Sequence, residues 1–143
     1  MNISAFSRAG FLSGVACLLA AVGAAAQSTT LVCSVIQGLE CDSALDCGTP
    51  AQAVPPPTFL HVDMDAGLIT LLAPEERRGE VTRVQATTTA DGQIALAGVE
   101  AGRSWGLVLD ETDLSLSISI TLADAVIVGF GQCIPSDQTS PSG

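Results

Sequence analysis

From residue 58 onward, apolar and polar residues alternate in short runs separated by turn formers, the period-two signature of strands with one face on a core and one in water. Residues 114–122, LSLSISITL, are the clearest case, because a 3.6-residue helix would scatter those aliphatics around its circumference. Residues 59–65 place Leu60, Val62 and Met64 on one face, and Ala66-Gly67 turns the chain into a second strand at 68–72. A Thr- and Val-rich strand follows at 81–88, and Asp91-Gly92 is a hairpin signal leading into 93–97. After a connector at 98–102, residues 103–109 align Trp105, Leu107 and Leu109. Residues 125–133 are almost continuously apolar, which predicts cover on both faces or a bulge at the glycines.

With a first strand at 30–37, the pattern predicts eight strands of a small all-β domain. Short links favour neighbours that pair in order, so the expected fold is an antiparallel eight-stranded meander closing into a barrel, with a two-layer β-sandwich as the alternative. The connector 73–80, with Pro74 able to open a helical turn, is the one helical element expected in the domain. Residues 38–57 resist assignment and read as an irregular loop pinned by cysteines. Residues 134–143, polar and rich in Pro and Ser, read as a disordered tail.

The beginning of the chain follows another logic. A single Arg8 precedes an apolar run that ends in Ala24-Ala25-Ala26, the pattern of an export signal cleaved after residue 26, and a retained anchor or a lipidated Cys17 fits the small-residue end less well. The expected domain is therefore 27–133, in the periplasm or secreted, with no stable membrane insertion after cleavage. It keeps Cys33, Cys41, Cys47 and Cys133, and an even number of cysteines in an oxidising compartment predicts disulfides. Proximity in sequence favours Cys41 with Cys47, which leaves Cys33 to join Cys133 and frame the fold. A four-thiolate zinc site is disfavoured, because Cys133 is far from the other three.

Composition narrows function more than it defines it. Fifteen acidic residues against five basic ones give a formal charge of −10, and the sequence holds no lysine and one histidine. Such a field repels phosphate backbones, so nucleic acid is not an expected partner. No general-base lysine or histidine pair exists, no Gly-x-Ser-x-Gly elbow is present, and the cysteines are expected to be oxidised. His61 and Asp63, with Asp65, share one strand face and are the speculative metal site, although i to i+4 along a strand spans about 13 Å, too far for all three to hold one ion. The acidic groups Glu40/Asp42/Asp46, Asp63/Asp65 and Asp110/Glu111/Asp113 lack a calcium-loop register and read as solvated turns. Trp105, Leu107 and Leu109 are candidates for the core or the floor of a pocket.

In size, compartment and cysteine frame the chain resembles small periplasmic β-barrel proteins that bind or inhibit other envelope proteins, such as lysozyme inhibitors, a likeness of architecture that carries no shared motif. The expectation is an exported, non-enzymatic binding or interaction module of the bacterial cell envelope, without cofactor and monomeric, whose acidic surface suits a basic partner such as an enzyme it inhibits. Two other readings make distinct demands. A small-molecule carrier needs a hollow interior of several hundred Å³, and a metal-dependent hydrolase needs a working site around His61 and Asp63.

Overall fold

A computed structural model describes residues 29–50 and 55–139; the expected export signal lies outside them. The described chain is all-β, with strands β1 (Thr30–Asp42), β2 (Cys47–Gly48), β3 (Phe59–Asp63), β4 (Leu68–Ala73), β5 (Val81–Arg83), β6 (Ala86–Ala90), β7 (Gln93–Glu100), β8 (Arg103–Asp110), β9 (Ser115–Thr121) and β10 (Ala125–Pro135). A 3₁₀ turn at Glu75–Arg77 follows Pro74, as expected for that connector.

All strands belong to one antiparallel sheet in the order β5-β4-β3-β1-β10-β9-β8-β7-β6, with β2 paired to β1, curled into a half-barrel rather than split into two layers. Sequence neighbours pair in order, as the meander predicts, and the first and last strands meet along their length from Leu31 opposite Pro135 to Asp42 opposite Ala125. The break in the ladder falls elsewhere, between β5 and β6. These are two parts of the expected strand at 81–88, which changes partners in mid-course. The Val84 amide donates to Gly67 O at 2.9 Å on the β4 side, and the next amide, Gln85, donates to Ala97 O at 2.9 Å on the β7 side. One stretch of chain thus ties the two edges of the roll together. The Gln85 side chain takes the place of a missing rung, its amide nitrogen donating to Val99 O at 2.7 Å and its oxygen accepting from Val99 N at 3.2 Å.

The core forms where the alternating aliphatics converge. Leu31, Leu60, Val62, Ile69, Leu71, Leu96, Leu107, Leu109 and Leu116 are buried, with Met64, Ile94, Trp105 and Ile118 packed against them. Both expected disulfides are present, Cys33–Cys133 and Cys41–Cys47. Cys33 and Cys133 face each other in the β1–β10 ladder and are fully enclosed, so the bridge is part of the core as well as a staple.

Three boundaries depart from the sequence reading. Residues 38–42, expected in the irregular loop, extend β1, because the apolar run at the start of β10 offers them a ladder from Gly38 opposite Gly129 onward. Ile134 and Pro135, expected in the disordered tail, pair with Val32 and Leu31, and Ser136–Thr139 form a 3₁₀ turn. Residues 98–100, expected in a connector, complete β7, because Ala101-Gly102, both at positive φ, make a two-residue turn that pairs Glu100 directly with Arg103. The bulge anticipated in residues 125–133 lies across the ladder, where Ile36 is the extra residue of β1 between Val35 and Gln37.

Candidate functional site

The acidic end of β1 forms a rigid hairpin tip. Cys41 and Cys47 pair in register and are bridged, so only residues 42–46 lie beyond the staple. Asp42 organises that turn: its Oδ1 accepts from the amides of Ala44 at 2.8 Å and Asp46 at 3.0 Å, and its own amide donates to Asp46 O at 3.1 Å. The geometry leaves Leu45 at a positive φ of 62° and 83% exposed. Leu45 therefore adds nothing to the packing of the core. Asp42 and Asp46 belong to the same turn, Glu40 pairs with Gly48 just inside the staple, and the pairing of Asp42 with Ala125 brings Asp124 to the same end of the sheet. Ile36, 73% exposed at the bulge, lies further down the same strand.

The speculative metal residues do not assemble in this way. His61 is half-buried on β3 between Val32 and Thr70. The Asp63 carboxylate accepts from the Ala66 amide at 2.8 Å and so shapes the β3–β4 turn, while Asp65 accepts from the Thr29 hydroxyl at 2.8 Å. Among the described residues no three His, Cys, Asp or Glu side chains gather closely enough to hold a metal ion. The third acidic group is likewise turn machinery, with Asp110 Oδ1 accepting from Thr112 N at 2.8 Å and Asp113 Oδ1 from Ser115 N at 2.8 Å. That backbone bond from Ser115, reinforced by the Ser115 hydroxyl, holds the Asp113 carboxyl below the usual range.

Leu107 and Leu109 fill the core, with 1% and 0% of their surface exposed. Trp105 lies one layer nearer the end of the roll. Its ring lies over Gly98, its ladder partner on β7, so closely that a β-carbon there would come within 2.7 Å of Cζ2. The indole Nε1 is buried and has no hydrogen-bond partner among the described residues. Around it opens a cavity of about 70 Å³, whose polar lining is Arg77, Thr82, Glu100 and Arg103. Arg77 donates to Glu80 at 2.7 Å and to Pro55 O at 3.0 Å. The contact with Arg77 holds the Glu80 carboxyl below its ordinary value, with a lesser contribution from Arg103. Arg78 pairs separately with Glu75 at 2.9 Å, so the two adjacent arginines are each neutralised by a nearby glutamate.

The sequence reading offered Trp105 as core or pocket floor and took the acidic loop for a solvated turn, and it singled out neither Leu45 nor Arg103. The signal for Leu45 was a lone aliphatic between Ala44 and Asp46 inside a short cysteine loop. For Arg103 it was the two-residue step to Trp105, which puts both on one strand face. No protein-family model matches the chain, and no curated protein matches it as a relative. The two disulfides fit a protein outside the cytoplasm, and among the described residues no helix is long and apolar enough to cross a membrane.

Proposed function

We propose that the protein is a periplasmic or secreted binding module that docks a basic partner protein through the stapled tip of the β1–β2 hairpin. The observation that carries this reading is Leu45, 83% exposed on a disulfide-locked turn that also contains Asp42 and Asp46. An apolar anchor that loses little conformational freedom on binding, on a turn that also carries acidic residues, suits a pocket bordered by Lys and Arg. That acidic charge accelerates encounter with such a partner and favours it over acidic competitors. Inhibition follows naturally where the partner's pocket is an active site.

The small-molecule reading finds less support. Leucines and the Cys33–Cys133 bridge occupy the centre of the roll. The hollow beside Trp105 is about 70 Å³ and the adjoining one beside Ile36 and Pro57 about 200 Å³, each short of a carrier cavity, and the larger recess of about 390 Å³ beside Val108 and Phe130 is half open to solvent. The hydrolase reading rests on His61 and Asp63, which gather no third metal ligand among the described residues, and the Asp63 carboxylate is engaged by the Ala66 amide.

Capture experiments with the folded, oxidised protein on extracytoplasmic extract, at about 20 mM and about 500 mM salt, test the proposal. A basic protein retained at low salt by the natural chain, released by added salt and not held by Leu45→Ser, is the expected result. Retention of nothing, or of proteins indifferent to both salt and Leu45→Ser, would overturn it.

A further inference from the structure

Strand β6 lies at one margin of the sheet, and all five of its residues, Ala86–Ala90, are exposed. One side of it is laddered to β7 without a bulge, from Ala86 opposite Ala97 to Ala90 opposite Gln93. Asp91-Gly92, both at positive φ, close that ladder as a two-residue turn, so Ala90 exchanges backbone bonds with Gln93 and, two residues back, Thr88 exchanges them with Ala95. The amides and carbonyls of Thr87 and Thr89 therefore point away from β7, where the sheet has no further strand among the described residues. The lane beside them is blocked only at its start, by the β3–β4 turn, whose Gly67 O accepts from the Val84 amide at 2.9 Å. The vacant stretch is thus as long as β6 itself.

An open margin pairs with another strand unless charge, proline or a bulge blunts it. β6 has none of the three, whereas β5, at the opposite margin, is shorter and ends in Arg83. The sequence of β6, Ala-Thr-Thr-Thr-Ala, also reads the same in both directions. We propose that β6 is a self-association edge, to which a second copy of this chain adds its own β6, antiparallel about a two-fold axis at Thr88. In that register Thr87 of each copy meets Thr89 of the other, so the free amides and carbonyls exchange hydrogen bonds. Thr88 then faces its counterpart at the closely spaced, non-hydrogen-bonded position between them. Threonine suits such pairs through its β-branch and its hydroxyl. A basic partner finds no carboxylate in this strand, so the edge calls for a different occupant from the hairpin tip. The same register carries Asp91 of each copy to Gln85 of the other, next to the β3–β4 turn with its Asp63 and Asp65. Those carboxylates and the net charge of −10 oppose the approach, so added salt strengthens the pairing, the reverse of its effect at the tip. So short a strand pair covers less than a stable interface needs, about 1,200–2,000 Å², and the association is reversible, with a dissociation constant of about 0.1–1 mM. The monomer expected from sequence becomes one side of an equilibrium.

Sedimentation equilibrium of the oxidised protein, from about 0.05 to about 2 mM and at about 20 and about 500 mM salt, reads the association directly. The expected result is a mass that climbs from monomer toward dimer with concentration, at lower concentration in the higher salt. Thr87→Pro removes an amide aimed at the second copy and no bond of the β6–β7 ladder, and is expected to weaken the dimer about tenfold or more with circular dichroism unchanged. Thr88→Glu and Thr88→Lys test the register: because residue 88 meets itself, a mixture of the two variants associates more tightly than either alone. A monomer at every concentration and salt, dimerisation indifferent to Thr87→Pro, or a mixture no tighter than its components overturns the proposal.

Discussion

The two disulfides occupy such different places that their removal separates global from local stabilisation. Cys33 and Cys133 are 100 residues apart, and closing a loop of that size restricts the unfolded chain by about 4.7 kcal/mol in the chain-entropy model. Both sulfurs are also enclosed, at 0% and 2% exposure, so replacing them with alanine adds about 1 kcal/mol of lost packing at each site. The sum is about 5–7 kcal/mol, comparable to the whole stability of many small domains, about 5–15 kcal/mol. Cys41 and Cys47 are 6 residues apart on an exposed tip, where the same relation gives about 2–2.5 kcal/mol and no core packing is lost. Urea unfolding of the Cys33→Ala/Cys133→Ala and Cys41→Ala/Cys47→Ala proteins, followed by Trp105 emission, compares them directly. The first is expected to be largely unfolded or to melt about 20 °C lower, and the second to keep a cooperative transition with a modest loss. Equal losses, or a larger one from the short loop, would refute the view that the enclosed bridge organises the fold.

Further outcomes follow from single contacts. Gly131→Ala is expected to cost more than about 3 kcal/mol or to prevent folding, because a β-carbon there would lie 1.9 Å from Ser34 O, and that neighbour is backbone; soluble yield and urea midpoint are the measures. Gly98→Ala displaces the Trp105 ring from its seat, lowering stability by about 1–3 kcal/mol and shifting tryptophan emission, whereas an unchanged spectrum would contradict the close approach. Arg77 lowers the folded pKa of Glu80 below its unfolded value, so this carboxylate contributes stability above the unfolded pKa and loses it as pH falls through the folded one. The pair is partly exposed, which keeps the effect well under 1 kcal/mol, and Glu80→Gln is expected to flatten the fall of the urea midpoint over that acidic range slightly.

Much of the architecture was legible because this fold writes itself in a period of two. Leu60, Val62 and Met64, or Leu116 and Ile118, advertise an inner face with no help from distant residues, and Asp91-Gly92 marks a turn by its backbone preference. Features that depend on a partner strand were hidden. Residues 38–42 look like an acidic loop until β10 is beside them, and the change of partners between Val84 and Gln85 leaves no mark in local pattern. The functional candidates were half visible for the same reason. The cysteine-bounded acidic loop was plain, but the outward projection of Leu45 follows from how Asp42 folds the turn. Likewise the Thr-rich run was plain as a strand, while the free side of Ala86–Ala90 emerged only once the sheet order put β6 at a margin.

The place where one strand serves both margins of the sheet gives the molecule two unequal flanks. On one flank, β1 and β10 are zipped by a long ladder and locked by a covalent bond; on the other, continuity depends on the peptide link at Val84-Gln85 and on the reach of side chains such as Gln85 and Thr82. Thermal breathing is therefore lopsided, with the bridged flank acting as a hinge and the glutamine as a latch. Any transient parting of the wall starts beside Val99 and Glu100, next to the indole and the guanidinium, so the interior is most readily reached from that side.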